Sequence, residues 1–174
     1  MAKLTLLRHA PLPCKYQGCY NGWSDIPIDP SLVSSAQMDP LRQLHFDRIY
    51  SSDLQRCTET LKLIFGKDLS FETTPALREV RFRNEIEGLS FAQVEQLKSF
   101  DARYLESEAR WHAYLCAETQ EAFTQRLRNF LEHLRGDEEI LICSHAGAIR
   151  EMMRILGKPI DSIDYLAYVH VSLP

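Results

Sequence analysis

Apolar and polar positions along the chain alternate between two rhythms. One is a set of short, nearly continuous apolar runs. Leu4-Thr5-Leu6-Leu7 is the first, and Ile140-Leu141-Ile142-Cys143 is the clearest later one. Runs of this length read as buried strands, so strands are expected at residues 3–8, 46–50, 70–74, 139–144 and 165–171. The other rhythm is helical. After Ser52, whose partner Gln55 completes a capping-box pattern, Leu54, Cys57, Thr58, Leu61, Ile64 and Phe65 share one face, and Gly66 ends the helix. A second capping box, Ser90 with Gln93, opens a helix with Phe91, Val94 and Leu97 turned inward. Residues 119–134 form the most regular helix, with Phe123, Leu127, Phe130, Leu131 and Leu134 on its apolar side and Gly136 stopping it. A last helix buries Ile149, Met152, Met153 and Leu156 and closes at Gly157 and Pro159. Residues 10–45 read as irregular, because Pro11, Pro13, Gly18, Gly22, Pro27 and Pro30 interrupt any long element. Strands separated by helices imply an α/β fold: a three-layer α/β/α sandwich with a mostly parallel central sheet.

Length changes little in this picture. The 174 residues suit one domain over 1–174 that buries roughly 70% of its unfolded surface. The net charge of -4 argues against nucleic acid as the main partner. No apolar stretch approaches the roughly 18 residues of a membrane span, so no membrane partner is expected. The start, Met-Ala-Lys followed by a short strand, does not read as a signal peptide. The five cysteines are odd in number and lack a C-x-x-C pair. Neither a disulfide framework nor a zinc knuckle is indicated, and a cytoplasmic location follows. No metal ligands and no cofactor are expected. The edge at 169–171 is a candidate for pairing two copies as a homodimer.

The chemistry sits where strands end. The first strand stops abruptly in Arg8-His9, and the 139–144 strand runs into Ser144-His145-Ala146-Gly147. In open α/β sheets ligands gather at the carboxyl ends of strands. Arg56 lies about one turn into the helix after the 46–50 strand and can reach back toward the same edge. With Arg8 it supplies two planar forks suited to phosphate oxygens. His145 stands at a helix start, where free N–H groups favour an anion. Two arginines also disfavour protonation of a nearby histidine, which keeps an imidazole nucleophilic. Glu79, behind the third strand, is the candidate proton donor, and a bound phosphate beside it would favour its protonated form. Taken singly, each residue has a plainer reading as a surface ion pair, a core histidine or a solvated carboxylate. The common placement of all five at strand ends is what favours chemistry. His45, His112, His133 and His170 lack that placement.

These stretches, with their neighbours, resemble the histidine phosphatase superfamily, also called phosphoglycerate mutase-like. The resemblance is carried in order by Leu7-Arg8-His9, Gly22-Trp23-Ser24-Asp25, Tyr50-Ser51-Ser52-Asp53-Leu54-Gln55-Arg56, Leu77-Arg78-Glu79 with Glu87-Gly88-Leu89, Glu118-Thr119 and Ser144-His145-Ala146-Gly147. It implies His9 as a nucleophile that becomes phosphohistidine, Arg8, Arg56 and His145 as phosphate-pocket residues, and Glu79 as general acid, with no metal. It also points to Asn21, Gly22, Lys15 and Ala146 as substrate-binding positions. Segment 90–117, rich in aromatic residues, corresponds to an insert that roofs the pocket in relatives. Cys19-Tyr20-Asn21-Gly22 is nearest to the α-ribazole phosphatase-like branch. Ala10 and Ala146 stand where the family usually has glycine, and Lys15 where it often has asparagine. The resemblance favours hydrolysis of a small phosphomonoester. The alternatives are phosphoglycerate mutase-type transfer, a protein phosphohistidine phosphatase and a non-catalytic phosphate-binding protein.

Overall fold

The computed structural model describes residues 1–134 and 136–173. Its centre is a five-stranded sheet made of β1 (Lys3–Arg8), β2 (Arg48–Ser52), β3 (Glu72–Thr74), β4 (Glu139–Ser144) and β5 (Tyr168–Ser172). Their order is β3-β2-β4-β1-β5. The contacts β1–β4, β4–β2 and β2–β3 are parallel, and β5 runs antiparallel on β1. The mostly parallel sheet is therefore as the sequence implies.

Side chains alternate across the strands, so one sheet feeds two cores. Leu4, Leu6, Ile140 and Ile142 face α5 (Gln120–His133) and α6 (Ala146–Ile155) through Phe123, Leu127, Leu131, Ile149 and Met152. Leu7, Leu141 and Cys143 face α1 (Ser35–Arg42) and α2 (Gln55–Phe65) through Met38, Leu41, Cys57, Leu61 and Ile64. Helices thus cover both faces, giving three layers. Two short helices, α3 (Phe91–Val94) and α4 (Glu108–Leu115), lie between β3 and α5 in the chain. Among the described residues, no helix is long and apolar enough to cross a membrane.

Several local expectations need correction. The second strand is shifted by two residues from 46–50, because Ser51 and Ser52 still pair with Thr73 and Thr74 of β3 and are fully buried. Ser52 is therefore a strand residue and not a helix cap. The N-cap of α2 is Leu54, without a side-chain cap. The Gln55 N–H instead donates to Asp25 Oδ1 at 2.7 Å, a cap delivered from a distant loop. The region read as irregular contains α1, whose Ser34 N–H and hydroxyl both donate to Gln37 Oε1. This helix tolerates Pro40 in its last turn. Phe91 is 40% exposed instead of inward. Helix α3 lasts only four residues, too few to present a full face. The last strand begins at Tyr168, and Tyr165 lies in the turn before it.

Candidate active site

The register of β1 on β4 builds the site. Arg8 pairs with Ser144 in the parallel ladder, so the next residues, His9 and His145, leave the sheet side by side at the carboxyl ends of adjacent strands. Their ring centroids are 5.3 Å apart, edge to face. Both rings are buried.

Hydrogen bonds give the two imidazoles opposite tautomers. His9 Nδ1 lies 2.8 Å from the Ala10 carbonyl oxygen. A carbonyl only accepts, so Nδ1 carries the proton and Nε2 keeps a free lone pair. His145 Nδ1 accepts from Arg56 Nε at 3.0 Å. Its Nε2 therefore holds the proton and donates to Ser52 Oγ at 2.9 Å. Burial, followed by the Arg56 guanidinium, holds His9 well below the ordinary imidazole pKa, and Arg8 adds to the effect. The same two leading causes depress His145, with His9 itself contributing.

Arg56 is fully buried. Its Nη1 donates to the Ser24 carbonyl at 2.8 Å, and its Nη2 donates to the Gly22 carbonyl at 2.6 Å and the Asn21 carbonyl at 3.4 Å. All its hydrogen-bond partners are neutral. Arg8 is half-buried; its Nη1 donates to the Ile163 carbonyl at 2.7 Å. Its guanidinium carbon lies 3.8 Å from the centroid of the Tyr165 ring. Neither arginine forms an ion pair among the described residues. Two guanidinium charges beside two neutral imidazoles thus make no direct ion pair among the described residues, and Arg56 feels the Glu79, Glu87 and Asp25 carboxylates only at longer range.

Glu79 reaches the same edge from the loop after β3. Its Oε2 accepts the Gly147 N–H at 2.8 Å, and its Oε1 accepts its neighbour's N–H, that of Val80, at 2.9 Å. The expectation of free N–H groups at the start of α6 is corrected here, because the carboxylate occupies Gly147. The approach is so close that a Cβ on Gly147 would lie 2.4 Å from Glu79 Oε1. Ala10 and Ala146 do not need the freedom of glycine. Leu166 is the one non-glycine residue with positive φ among the described residues, so both alanines sit at ordinary backbone angles.

The remaining sequence-derived positions divide. Gly22 is buried with its N–H on Glu87 Oε1 at 2.8 Å, and a Cβ there would meet the Val80 carbonyl at 2.6 Å. Asn21 uses Nδ2 to hold the Tyr16 and Cys19 carbonyls, leaving its buried Oδ1 without a partner. Ala146 is half-buried at the first position of α6. Lys15 stands apart, exposed, with its ammonium 4.8 Å from the centroid of the Tyr16 ring.

Four supporting residues are absent from the site positions that the sequence suggests. Ser52 fixes the His145 tautomer. Tyr165 contacts both Arg8 and His9, its ring centroid 5.5 Å from that of His9. Arg126 donates to the Ala76, Arg78 and Glu79 carbonyls and forks onto the Glu118 carboxylate, fastening the loop that carries Glu79. Glu87 accepts from both Gly22 and Ser24 backbone N–H groups. The Glu118-Thr119 pair was a usable signal for Arg126, since Thr119 caps the helix that carries it.

The chain is similar to several known proteins. The chain is 28% identical over 178 residues to the adenosylcobalamin/alpha-ribazole phosphatase of Salmonella typhimurium, spanning 92% of this chain and 83% of that protein. It is 26% identical to the 2,3-bisphosphoglycerate-dependent phosphoglycerate mutase of Cytophaga hutchinsonii, over 91% of this chain and 78% of that one. The crystal structure of TTHB049 from Thermus thermophilus superposes with a TM-score of 0.76 at 28% identity, covering 99% of this chain and 94% of that one. Residues 4–173 match the histidine phosphatase superfamily, branch 1. With two strand-end histidines, two unpaired guanidiniums and that match over nearly its whole length, the chain belongs to the histidine phosphatase superfamily.

Proposed function

We propose that this protein is a phosphatase that hydrolyses a small phosphomonoester through a phosphohistidine at His9, without a metal. The observation that carries this reading is the pair of guanidiniums without a direct ion pair among the described residues, beside a neutral imidazole with a free Nε2. A phosphate dianion supplies the missing charge, and Nε2 supplies the nucleophile.

The steps balance as follows. The His9 Nε2 lone pair attacks phosphorus while the bond from phosphorus to the ester oxygen breaks. The departing oxygen takes a proton from Glu79. Arg8 donates to the oxygens of the transferring group; Arg56, whose fork is taken by the 21–24 carbonyls and His145, adds its positive charge from behind. Water then attacks phosphorus, Glu79 accepts its proton, and the N–P bond breaks to release inorganic phosphate and neutral His9. His145 is a second neutral wall of the pocket, oriented by Arg56 and Ser52.

The Salmonella relative is named for α-ribazole phosphate and adenosylcobalamin chemistry, and α-ribazole phosphate is the first substrate to test. Segment 90–117 packs on the site loop through Trp111, whose ring lies 6.3 Å from that of Tyr20. That contact supports a cap over the leaving-group side. The mutase named in Cytophaga supports a second reading, phosphoryl transfer within one acid. It requires turnover that depends on a bisphosphorylated primer.

Three outcomes are expected. Rapid quenching during turnover of p-nitrophenyl phosphate, followed by intact-mass analysis, should show one added phosphoryl group that maps to His9. His9→Ala should lose both adduct and turnover, and retention of full activity would remove the nucleophile. Glu79→Gln should lower kcat/KM about 10²- to 10⁴-fold on an alkyl phosphate. It should cost much less kcat/KM on p-nitrophenyl phosphate, whose leaving group needs little proton help; equal losses in kcat/KM, which covers the steps up to phosphoenzyme formation, would exclude the acid role.

A further outcome concerns pH. The folded protein resists protonation of His9 and His145, whereas the unfolded chain takes up protons near 6.5. The unfolded state binds more protons below that pH, so stability is fully present above it and falls as pH drops. Imidazole ¹⁵N NMR should find both rings neutral from about pH 8 down through about 6.5. Titration of either at the ordinary value would contradict the site electrostatics.

A further inference from the structure

Tyr165 is outside the set of residues that the proposed chemistry uses, yet it touches two of them. Its ring lies flat enough under Arg8 to place the guanidinium carbon 3.8 Å from the ring centroid. The same ring meets His9 at a tilt of 54°. Two residues earlier, the Ile163 carbonyl accepts from Arg8 Nη1 at 2.7 Å. One short turn therefore grips the guanidinium by face and by edge.

The turn is itself fastened to the strand end. Arg8 N–H donates to the Ala167 carbonyl at 3.0 Å, and Leu166 N–H reaches the His9 carbonyl at 3.4 Å. Ala167 N–H closes the turn on the Asp164 carbonyl at 3.1 Å. Leu166, between Tyr165 and Ala167, takes φ +61°, a left-handed conformation that leucine seldom adopts. Such strain persists where surrounding contacts over-determine the backbone. Here those contacts are the buried Leu166 side chain, packed in the core beneath α2, and the hydrogen bonds to residues 8 and 9.

The grip also leaves Arg8 available. Among the described residues, only one of its five side-chain N–H donors is engaged by a protein acceptor. Its Nε is buried without a partner. A stacked but incompletely bonded guanidinium is an arrangement that awaits oxygens from a ligand.

We propose that Tyr165 is a positioning residue, its ring and the neighbouring Ile163 carbonyl clamping the Arg8 guanidinium beside His9 where the phosphoryl oxygens will lie. This rests on the reading that Arg8 meets phosphate. The clamp acts through Arg8, so its effect requires Arg8 to be present. It pre-orders a long side chain that would otherwise lose freedom on binding.

The test measures inhibition by orthovanadate in the full chain, with p-nitrophenyl phosphate as reporter substrate. Tyr165→Leu should raise the orthovanadate inhibition constant and KM together by about 5- to 10-fold, as loss of a stacked cation implies. Tyr165→Phe, which keeps the ring, should restore affinity to within about twofold of the natural protein. In an Arg8→Met background, Tyr165→Leu should change the inhibition constant less than about twofold. Thermal melts confirm that each variant is folded, and Tyr165→Gln serves if the leucine variant is not. An unchanged constant in the single variant, or an equal loss with Arg8 already removed, would overturn the clamp. Failure of the underlying reading looks different: the natural protein would then show neither orthovanadate inhibition nor dependence on His9.

Discussion

A guanidinium buried without a direct ion pair is the constraint around which this site is organised. Arg56 has no exposed surface and only neutral hydrogen-bond partners among the described residues, so folding must offset a desolvation penalty of several kcal/mol with those acceptors and with the longer-range pull of Glu79, Glu87 and Asp25. Those acceptors come from separate parts of the chain: three carbonyls of the loop at 21–24 and one imidazole at the end of β4. Hydrogen bonds to carbonyls hold the charge in place but do not cancel it. In a poorly polarisable interior the remaining field acts strongly on nearby groups. Burial first, and this field second, keep both histidines neutral, and the field makes a dianion the natural complement.

The surrounding structure works to keep that arrangement rigid. The loop that feeds carbonyls to Arg56 is itself pinned, with Glu87 binding the Gly22 and Ser24 N–H groups and Asp25 capping α2. Because Asp25 caps the helix that carries Arg56, loop and helix position each other. On the opposite side, Arg126 and the Trp23 indole N–H both bind the Glu79 carbonyl. The carboxylate is then aimed by two backbone N–H groups toward the start of α6. Glycine at 147 leaves room for the carboxylate, which any side chain there would push out of place. The site is thus a meeting of strand ends with loops whose freedom has been removed by charged side chains.

Much of this was legible in the sequence. Strand-end histidines announce themselves, because an apolar run that stops at Arg8-His9 or Ser144-His145 has only one place in a parallel sheet to put those side chains. The long amphipathic α5 and α6 were equally clear from spacing. What escaped reading depends on distant partners. Ser52 carries a local pattern for a helix cap, but His145, from the end of β4, claims its hydroxyl and Asp25 caps the helix instead. Tyr165 sits at the edge of an alternating run, and only the strained turn at Leu166 takes it out of the strand and under Arg8. Helix α1 was missed because the prolines and glycines leading up to it outweighed a short capping box that was present all along. Lys15 matches the family pattern only by its distance from His9, and the fold leaves it exposed.

The two guanidiniums and the free His9 nitrogen form one phosphoryl site if vanadate settles there, and a crystal structure grown with orthovanadate tests this most directly. Vanadium should bond to His9 Nε2, with vanadate oxygens accepting from Arg8, the buried Arg56 guanidinium directly behind them, and one apical oxygen facing Glu79. Vanadate seated away from His9, or bound there with either guanidinium turned elsewhere, would contradict it.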